Sequence, residues 1–324
     1  MDGLGLFLTR RLTFLVLLVV VVSSVSLLLA HLAPGDAVTE LQFTGARAET
    51  LSRARARAGL DQSFVQRYAG WVANAVRLDF GTSSRYGRPV AGLVVERAAN
   101  SAVLALVALL VAVGIGLPAG VLSGSPTGGP AGALVRLASL VSLSLPPLLT
   151  SLALALLAAR TGWLPIGGMY SPDAGSLGLL GRLLDLGWHL VVPTIALALP
   201  LAATIERLQS RALAETMAEP YITSAHARGV APRAIVWRHA LRPALKPLAS
   251  VSGIIVGGLL SGSFAVEIVT AWPGLGQLMF EALTSRDIDL VAGCAAFGAV
   301  LLALGTLVSD LALAAADPRL REPV

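Results

Sequence analysis

Between Leu12 and Leu32 the chain runs for 21 residues without an acidic residue, lysine or arginine, interrupted only by Thr13, Ser23, Ser24, Ser26 and His31. A stretch of about 20 apolar residues matches the thickness of a bilayer's hydrocarbon layer when coiled as an α-helix. Inside that layer no water satisfies the peptide groups, so only a helix or a closed barrel can cross it. Further long runs of Leu, Val and Ala recur along the sequence, 55% of whose 324 residues are hydrophobic and 13% charged. The short alternating strands of a barrel are absent. These features read as an all-α integral membrane protein.

Arg10 and Arg11 precede the first run, which places the N-terminus in the cytoplasm by the positive-inside rule. The run is too long for a signal-peptide core and no A-x-A site follows, so it reads as an uncleaved first span within residues 1–32. Residues 33–100 read as a long external, polar and amphipathic segment. Within it Ala46 to Ala58 is an Ala- and Arg-rich helix, and Asp61 caps a second one with Phe64, Tyr68, Trp71, Val72 and Ala75 on one face, lying on the outer membrane surface. Nine arginines between Arg47 and Arg97 oppose an external placement, although the rule weakens in loops of more than about 60 residues.

Residues 101–324 hold five more spans. Ser101 to Leu122 is the second, broken near its end by Gly114, Gly116 and Pro118; Leu134 to Ala159 is the third, kinked at Pro146 and Pro147. Arg160 to Gly187 is an external connection, and Leu190 to Ile205 the fourth span, with Pro193 and Pro200 inside. Leu248 to Val269 is the fifth, whose Gly253, Gly257, Gly258 and Gly262 offer small faces for close packing. Trp272, Pro273, Gly274 and Gly276 form an external turn, and Leu290 to Ala315 is the sixth span. Six spans put both termini in the cytoplasm.

The most polar part of the second half is Glu215 to Pro247, between spans four and five. Arg228, Arg233, Arg238, Arg242 and Lys246 place it in the cytoplasm. Pro220 suits the first position of a helix and Gly229 the left-handed position after its end. A helix of about nine residues is shorter than the roughly 12–15 that survive alone, so this one must dock. Tyr221, Ala225 and Arg228 share a face, and Ser224 and Ala227 permit close approach. A second helix is expected from Pro232 to Leu241, stopped by Pro243. Anchoring of a basic loop to anionic lipid is the competing reading. Lys246 is the chain's one lysine and follows Leu245, so no GxxxxGK[ST] phosphate loop is present and ATP chemistry must come from a partner.

The segment Glu215 to Pro247, with Tyr221, Ile222, Ala225, Ala227, Arg228 and Gly229 followed by His239-Ala240-Leu241-Arg242, resembles the EAA loop of ABC importer permeases, specifically the dipeptide, oligopeptide and nickel transport family. Ala33-Pro34-Gly35-Asp36, Leu78-Asp79-Phe80-Gly81, Trp272-Pro273-Gly274-Leu275-Gly276, Arg286-Asp287 and Asp317-Pro318-Arg319 extend the likeness along nearly the whole chain. Pro220, His226 and Pro243 depart from the usual pattern.

The resemblance implies a multi-pass permease subunit of a bacterial inner membrane, not itself an enzyme. It implies pairing with a second homologous permease, two cytoplasmic ATPase subunits that hold the ATP and magnesium, and an extracytoplasmic substrate-binding protein. It assigns ATPase coupling to Glu215, Glu219, Tyr221, Ala225, Arg228 and Gly229, with His239, Arg242 and Pro247 supporting the loop. Peptides are the expected cargo, with nickel or another small solute as the alternative.

Physical reading adds a candidate external gate at Glu267, Trp272, Pro273 and Gly274, since an ionisable group near membrane depth is costly; Glu267 facing external water is the competing placement. His189 and Asp310 read as interfacial residues at helix ends. The helix interiors hold essentially no acids, which speaks against an ion-coupled secondary transporter, and no HExxH or GxSxG arrangement supports a hydrolase. The net charge of +5 is explained by cytoplasmic loops and lipid headgroups, so no nucleic-acid partner is expected. Cys294, the single cysteine, allows no intrachain disulfide and no cysteine cluster for a metal; it reads as a small buried hydrophobe.

Overall fold

A computed structural model describes residues 2–32 and 64–316, and every described element of length is helical. The expected helix at Ala46–Ala58, the Asp61 cap and the terminal Asp317-Pro318-Arg319 lie outside the described residues. Among the described residues five helices are long and apolar enough to cross a membrane, and a bent helix pair makes a sixth if counted as one span. Among the described residues, contacts divide the chain into two compact units, the first holding residues 2–3, 102–272 and 304–316 and the second residues 4–32, 64–101 and 273–303.

In the second unit, α1 (Asp2–Leu32) exposes Leu12, Leu17, Val21 and Leu29, as a lipid-facing span does. Helix α2 (Phe64–Ala75) shows the expected amphipathic register, but Trp71 and Ala75 meet protein. Trp71 packs edge-on against Phe80, and the Tyr68 hydroxyl lies 2.6 Å from Ser24 Oγ of α1. The core here is Phe80, Val90, Leu93, Leu278, Leu290 and Val291, closed by Phe297. Helix α3 (Val90–Gly124) starts eleven residues before the expected second span and runs through Gly114, Gly116 and Pro118 without a break. The first turns of α3, with Glu96, Arg97 and Asn100, are therefore continuous with a membrane-length helix.

Asp287 ties this unit together. Only 2% exposed, it accepts Ser83 Oγ at 2.6 Å and Arg85 N–H at 3.2 Å through Oδ2. Its Oδ1 accepts the Leu290 amide at 3.2 Å, capping α12 (Ile288–Ala316). The Tyr86 hydroxyl donates to Glu281 of α11 (Leu275–Thr284), a helix not expected between the turn at Trp272–Gly276 and the last span.

In the first unit, the expected third span is two helices, α4 (Gly129–Ser144) and α5 (Pro147–Thr161), set 96° apart. Consecutive prolines make the corner. A residue before proline is driven out of the α region, and both Leu145 (ψ 108°) and Pro146 (ψ 145°) precede one. Helix α6 (Leu179–Met217) is far longer than the expected fourth span, so the connection before it ends at Gly178. Its 39 residues extend about 58 Å at the α-helical rise, nearly twice a roughly 30 Å hydrocarbon layer. Pro193 and Pro200 are absorbed in its interior.

Where α3 crosses α6 the backbones touch. A Cβ on Gly116 would lie 2.7 Å from Ala202 O, one on Gly120 2.9 Å from Glu206 O, and one on Gly124 2.5 Å from Ser210 O. Glycine every fourth residue gives α3 a smooth strip against which α6 can lie. The strip expected on the fifth span behaves differently: Gly253 and Gly262 of α10 (Lys246–Val269) meet neighbours at an ordinary 3.7 Å.

Candidate coupling site

Beyond α6 the chain turns at Ala218 and Glu219 into α7 (Pro220–Ala227), eight residues led by a proline whose missing amide costs nothing there. Glu219 stands at the N-cap with an extended backbone, and its carbonyl accepts the amides of Ile222 and Thr223. Gly229 follows with φ +76°, its amide bonded to His226 O. A Cβ there would meet nothing within 4 Å, so the requirement for glycine is conformational.

Two faces of α7 have opposite environments. Ile222 and Ala225 are each 1% exposed, packed in a core with Val121 of α3, Leu213 of α6, and Ile235, Val236, Ala240 and Ala244. Tyr221, Ser224, Ala227 and Arg228 face outward, Tyr221 being 43% exposed. The expected shared face of Tyr221, Ala225 and Arg228 is thus corrected. At 100° per residue, positions 221, 224 and 228 form the outer stripe while 222 and 225 point back. Burial of Ile222 alone is worth roughly 1.5–3 kcal/mol, which answers how so short a helix holds its shape.

The second helical stretch runs past its expected end. It comprises α8 (Pro232–Ala234), a π turn at Ile235–Ala240 and α9 (Leu241–Ala244). Pro243 does not stop it, because it sits in the first turn of α9 directly after the π turn, where the intrahelical ladder is already re-registered. His239, Arg242 and Pro247 are exposed, while Ile235 and Ala240 are fully buried. Glu215, at the end of α6, is largely exposed and lies 3.8 Å from Arg211. The glutamate, tyrosine, arginine and glycine singled out in the sequence are therefore gathered on one short element and its flanks. Ile222, Leu213 and Ile235, which hold that element, were missed as site residues; their signal was apolar spacing interrupting a basic loop.

Of the residues named for an external gate, Glu267 and Trp272 lie inside the protein, against the competing placement of Glu267 in external water. Glu267 and Trp272 are each 0% exposed, so Glu267 does not face water. Trp272 fills a core with Leu104, Ala108, Leu190, Leu197 and Val266, and its amide bonds Glu267 O at 2.9 Å. In the other unit Gly274 caps α11, and Pro273 O accepts Asn100 Nδ2 at 2.8 Å. These residues end one helix and begin the next.

Two further findings concern charge. His189 is buried inside α6, its Nδ1 2.9 Å from Asp185 O, rather than interfacial at a helix end; the side chain of Asp310 lies outside the described residues. Glu206, beyond the expected end of the fourth span, is 1% exposed inside α6, and Glu267 near the end of α10 is buried as well.

Several membrane-length helices, one of them carrying a short, two-faced helix beyond its apolar section, mark the class as a multi-pass membrane protein. Residues 116–322 match the family of binding-protein-dependent transport system inner membrane components, and residues 4–109 match that family's N-terminal region. The chain belongs to this family, as the permease subunit of an ABC importer in the inner membrane. A putative peptide transport system permease protein of Brucella abortus (strain 2308) is 32% identical over 96% of this chain and 98% of its own. The oligopeptide transport system permease protein OppB of Mycobacterium bovis is 31% identical, over 97% and 98%. Among solved structures, the inward-facing MetNI methionine ABC transporter superposes with a TM-score of 0.53 at 20% identity, covering 69% of this chain and 96% of that one. That likeness concerns the fold.

Proposed function

We propose that this permease carries peptides into the cell by alternating access, driven by ATP hydrolysed on two cytoplasmic ATPase subunits. It works beside a second, homologous permease and receives cargo from an extracytoplasmic binding protein. ATP and magnesium belong to the ATPases, and both termini of this chain are cytoplasmic. The observation that carries the reading is end-to-end similarity to proteins named as peptide and oligopeptide permeases.

The division of labour within α7 follows from its two faces. Tyr221, Ser224 and Arg228 meet the ATPase, with Glu219 and Gly229 at the ends of the helix. Ile222 and Ala225 fasten the helix to α3, α6 and the π turn, so motion imposed on the outer face reaches α6 through packed side chains. Because α6 is one unbroken helix of 39 residues, that motion is delivered into the membrane layer as a lever.

The test is uptake by proteoliposomes holding the complete transporter, with the binding protein outside and ATP inside. Labelled di- and oligopeptides accumulate and nickel does not. Accumulation of nickel alone would overturn the cargo, and peptide uptake driven by a proton or sodium gradient without the ATPases would overturn the mechanism.

A further inference from the structure

Two polar side chains one turn apart on α6 are buried in its crossing with α3, and neither is satisfied there. Gln209 is 0% exposed, and both atoms of its amide, Oε1 and Nε2, are buried without a hydrogen-bond partner among the described residues. Glu206 accepts the Ser123 hydroxyl of α3 through Oε1, while its Oε2 is buried and likewise without a partner. A buried polar atom left unpaired keeps its full desolvation cost, whereas an apolar group of the same shape would carry none. A glutamine placed here therefore makes a poor static contact.

All three atoms are sealed from solvent, so relief comes from movement of the helices themselves. The crossing is built to permit it. A Cβ on Gly120 would lie 2.7 Å from Gln209 Cβ and 3.0 Å from its Cγ, so the glutamine stem lies pressed on bare backbone, which fixes where its amide points. Gly116 and Gly124 continue the strip on either side, leaving α3 no ridge that α6 must climb when it shifts. Val121 of α3 and Leu213 of α6 both belong to the core that seats α7, so a displacement of α7 bears on this crossing directly.

We propose that Gln209 and Glu206 are positioning residues of the transport cycle: in this packing of α3 on α6 the Gln209 amide and Glu206 Oε2 are held apart and unpaired, and a second packing, reached by a roll of α6 off Gly120, joins Gln209 Nε2 to Glu206 Oε2. Residues three apart on a helix share a face, which places the two side chains within reach of each other. Tight glycine packing favours one arrangement and hydrogen bonding the other, so force arriving through α7 selects between them. The inference rests on the ATP-driven mechanism proposed above.

The experiment uses the complete transporter in nanodiscs, with Cys294→Ala and spin labels on Leu122→Cys of α3 and Ala214→Cys of α6, both exposed positions. The label distance takes one value without nucleotide and another with a non-hydrolysable ATP analogue. Gln209→Met, which keeps the length of the side chain and removes the amide, raises the melting temperature of the isolated permease, holds one distance in both conditions and lowers peptide uptake about tenfold, the equivalent of one lost hydrogen bond. Gln209→Asn, which keeps the amide, shows both distances. A residue that merely filled space would not give a variant that is more stable and less active.

A lower melting temperature in Gln209→Met overturns the proposal, because the amide is then satisfied in this packing, as by a buried water. So do two distances in Gln209→Met, or a single distance in Gln209→Asn. One distance in the otherwise unsubstituted chain while uptake remains ATP-driven sinks this inference alone; uptake that proceeds without the ATPases sinks the mechanism on which it rests.

Discussion

Gly229 shows how much one residue can decide without touching anything. Its φ of +76° is open to glycine, tolerable for asparagine and strained for other side chains, and the space around it is empty. Gly229→Ala therefore costs about 1–2 kcal/mol at the end of α7 and Gly229→Asn much less. Hydrogen exchange of the amides from Ile222 to Val230 reads the difference: faster exchange in the alanine variant, near wild-type exchange in the asparagine variant. Equal acceleration in both would mean that lost space, not backbone strain, is at fault. Tyr86 offers a second test at this scale. Burial first, then its hydrogen bond to Glu281, raises its phenol above the ordinary value near 10. The unfolded chain then loses that proton first, so the contribution is complete below about pH 10 and falls as pH rises through the folded value. Thermal melts from pH 9 to 11 fall more steeply for the wild type than for Tyr86→Phe.

At the scale of elements, the two faces of α7 separate stability from partner binding. Ile222→Ala removes most of a side chain that is 1% exposed and costs about 2–5 kcal/mol. Tyr221→Ala, on the exposed face, leaves the melting temperature of the isolated permease within about one degree but lowers recovery of the ATPases in co-purification. Equal destabilisation by both variants would contradict the assignment of faces. The sequence marked this helix well, because Pro220 and Gly229 punctuate it through backbone chemistry that needs no tertiary partner. Ala225 was set on the outer face with Tyr221 and Arg228, since with Ile222 and Ala225 among polar residues the direction of burial depends on where α3 and Ile235 stand. The corner at Pro146–Pro147 was legible as an interruption, but not its 96°. The lengths of α3 and α6 were underread because charged residues at their ends look like loops when only the membrane layer is considered. The helix Leu275–Thr284 was hidden by the Trp-Pro-Gly turn in front of it.

For the molecule as a whole, the membrane class was the most legible property, written in the apolar runs, and the family likeness extends almost end to end. What the sequence could not place was the burial of Glu206. Glu206 reads as part of a charged loop until α6 is seen to be 39 residues long and to lie against the glycine strip of α3. The same packing of α3 on α6 that buries Glu206 also seats the inward side of α7, and on the proposed mechanism an ATPase would hold its outward stripe. Site-specific photocrosslinking in the assembled, ATP-hydrolysing complex tests this most directly. A photoreactive side chain at Ser224 gives a permease–ATPase adduct, whereas one at Trp163, 74% exposed in the connection before α6, gives none. If an active complex yields no ATPase adduct from Ser224, or an equal one from Trp163, α7 is not the element through which ATP hydrolysis moves this protein.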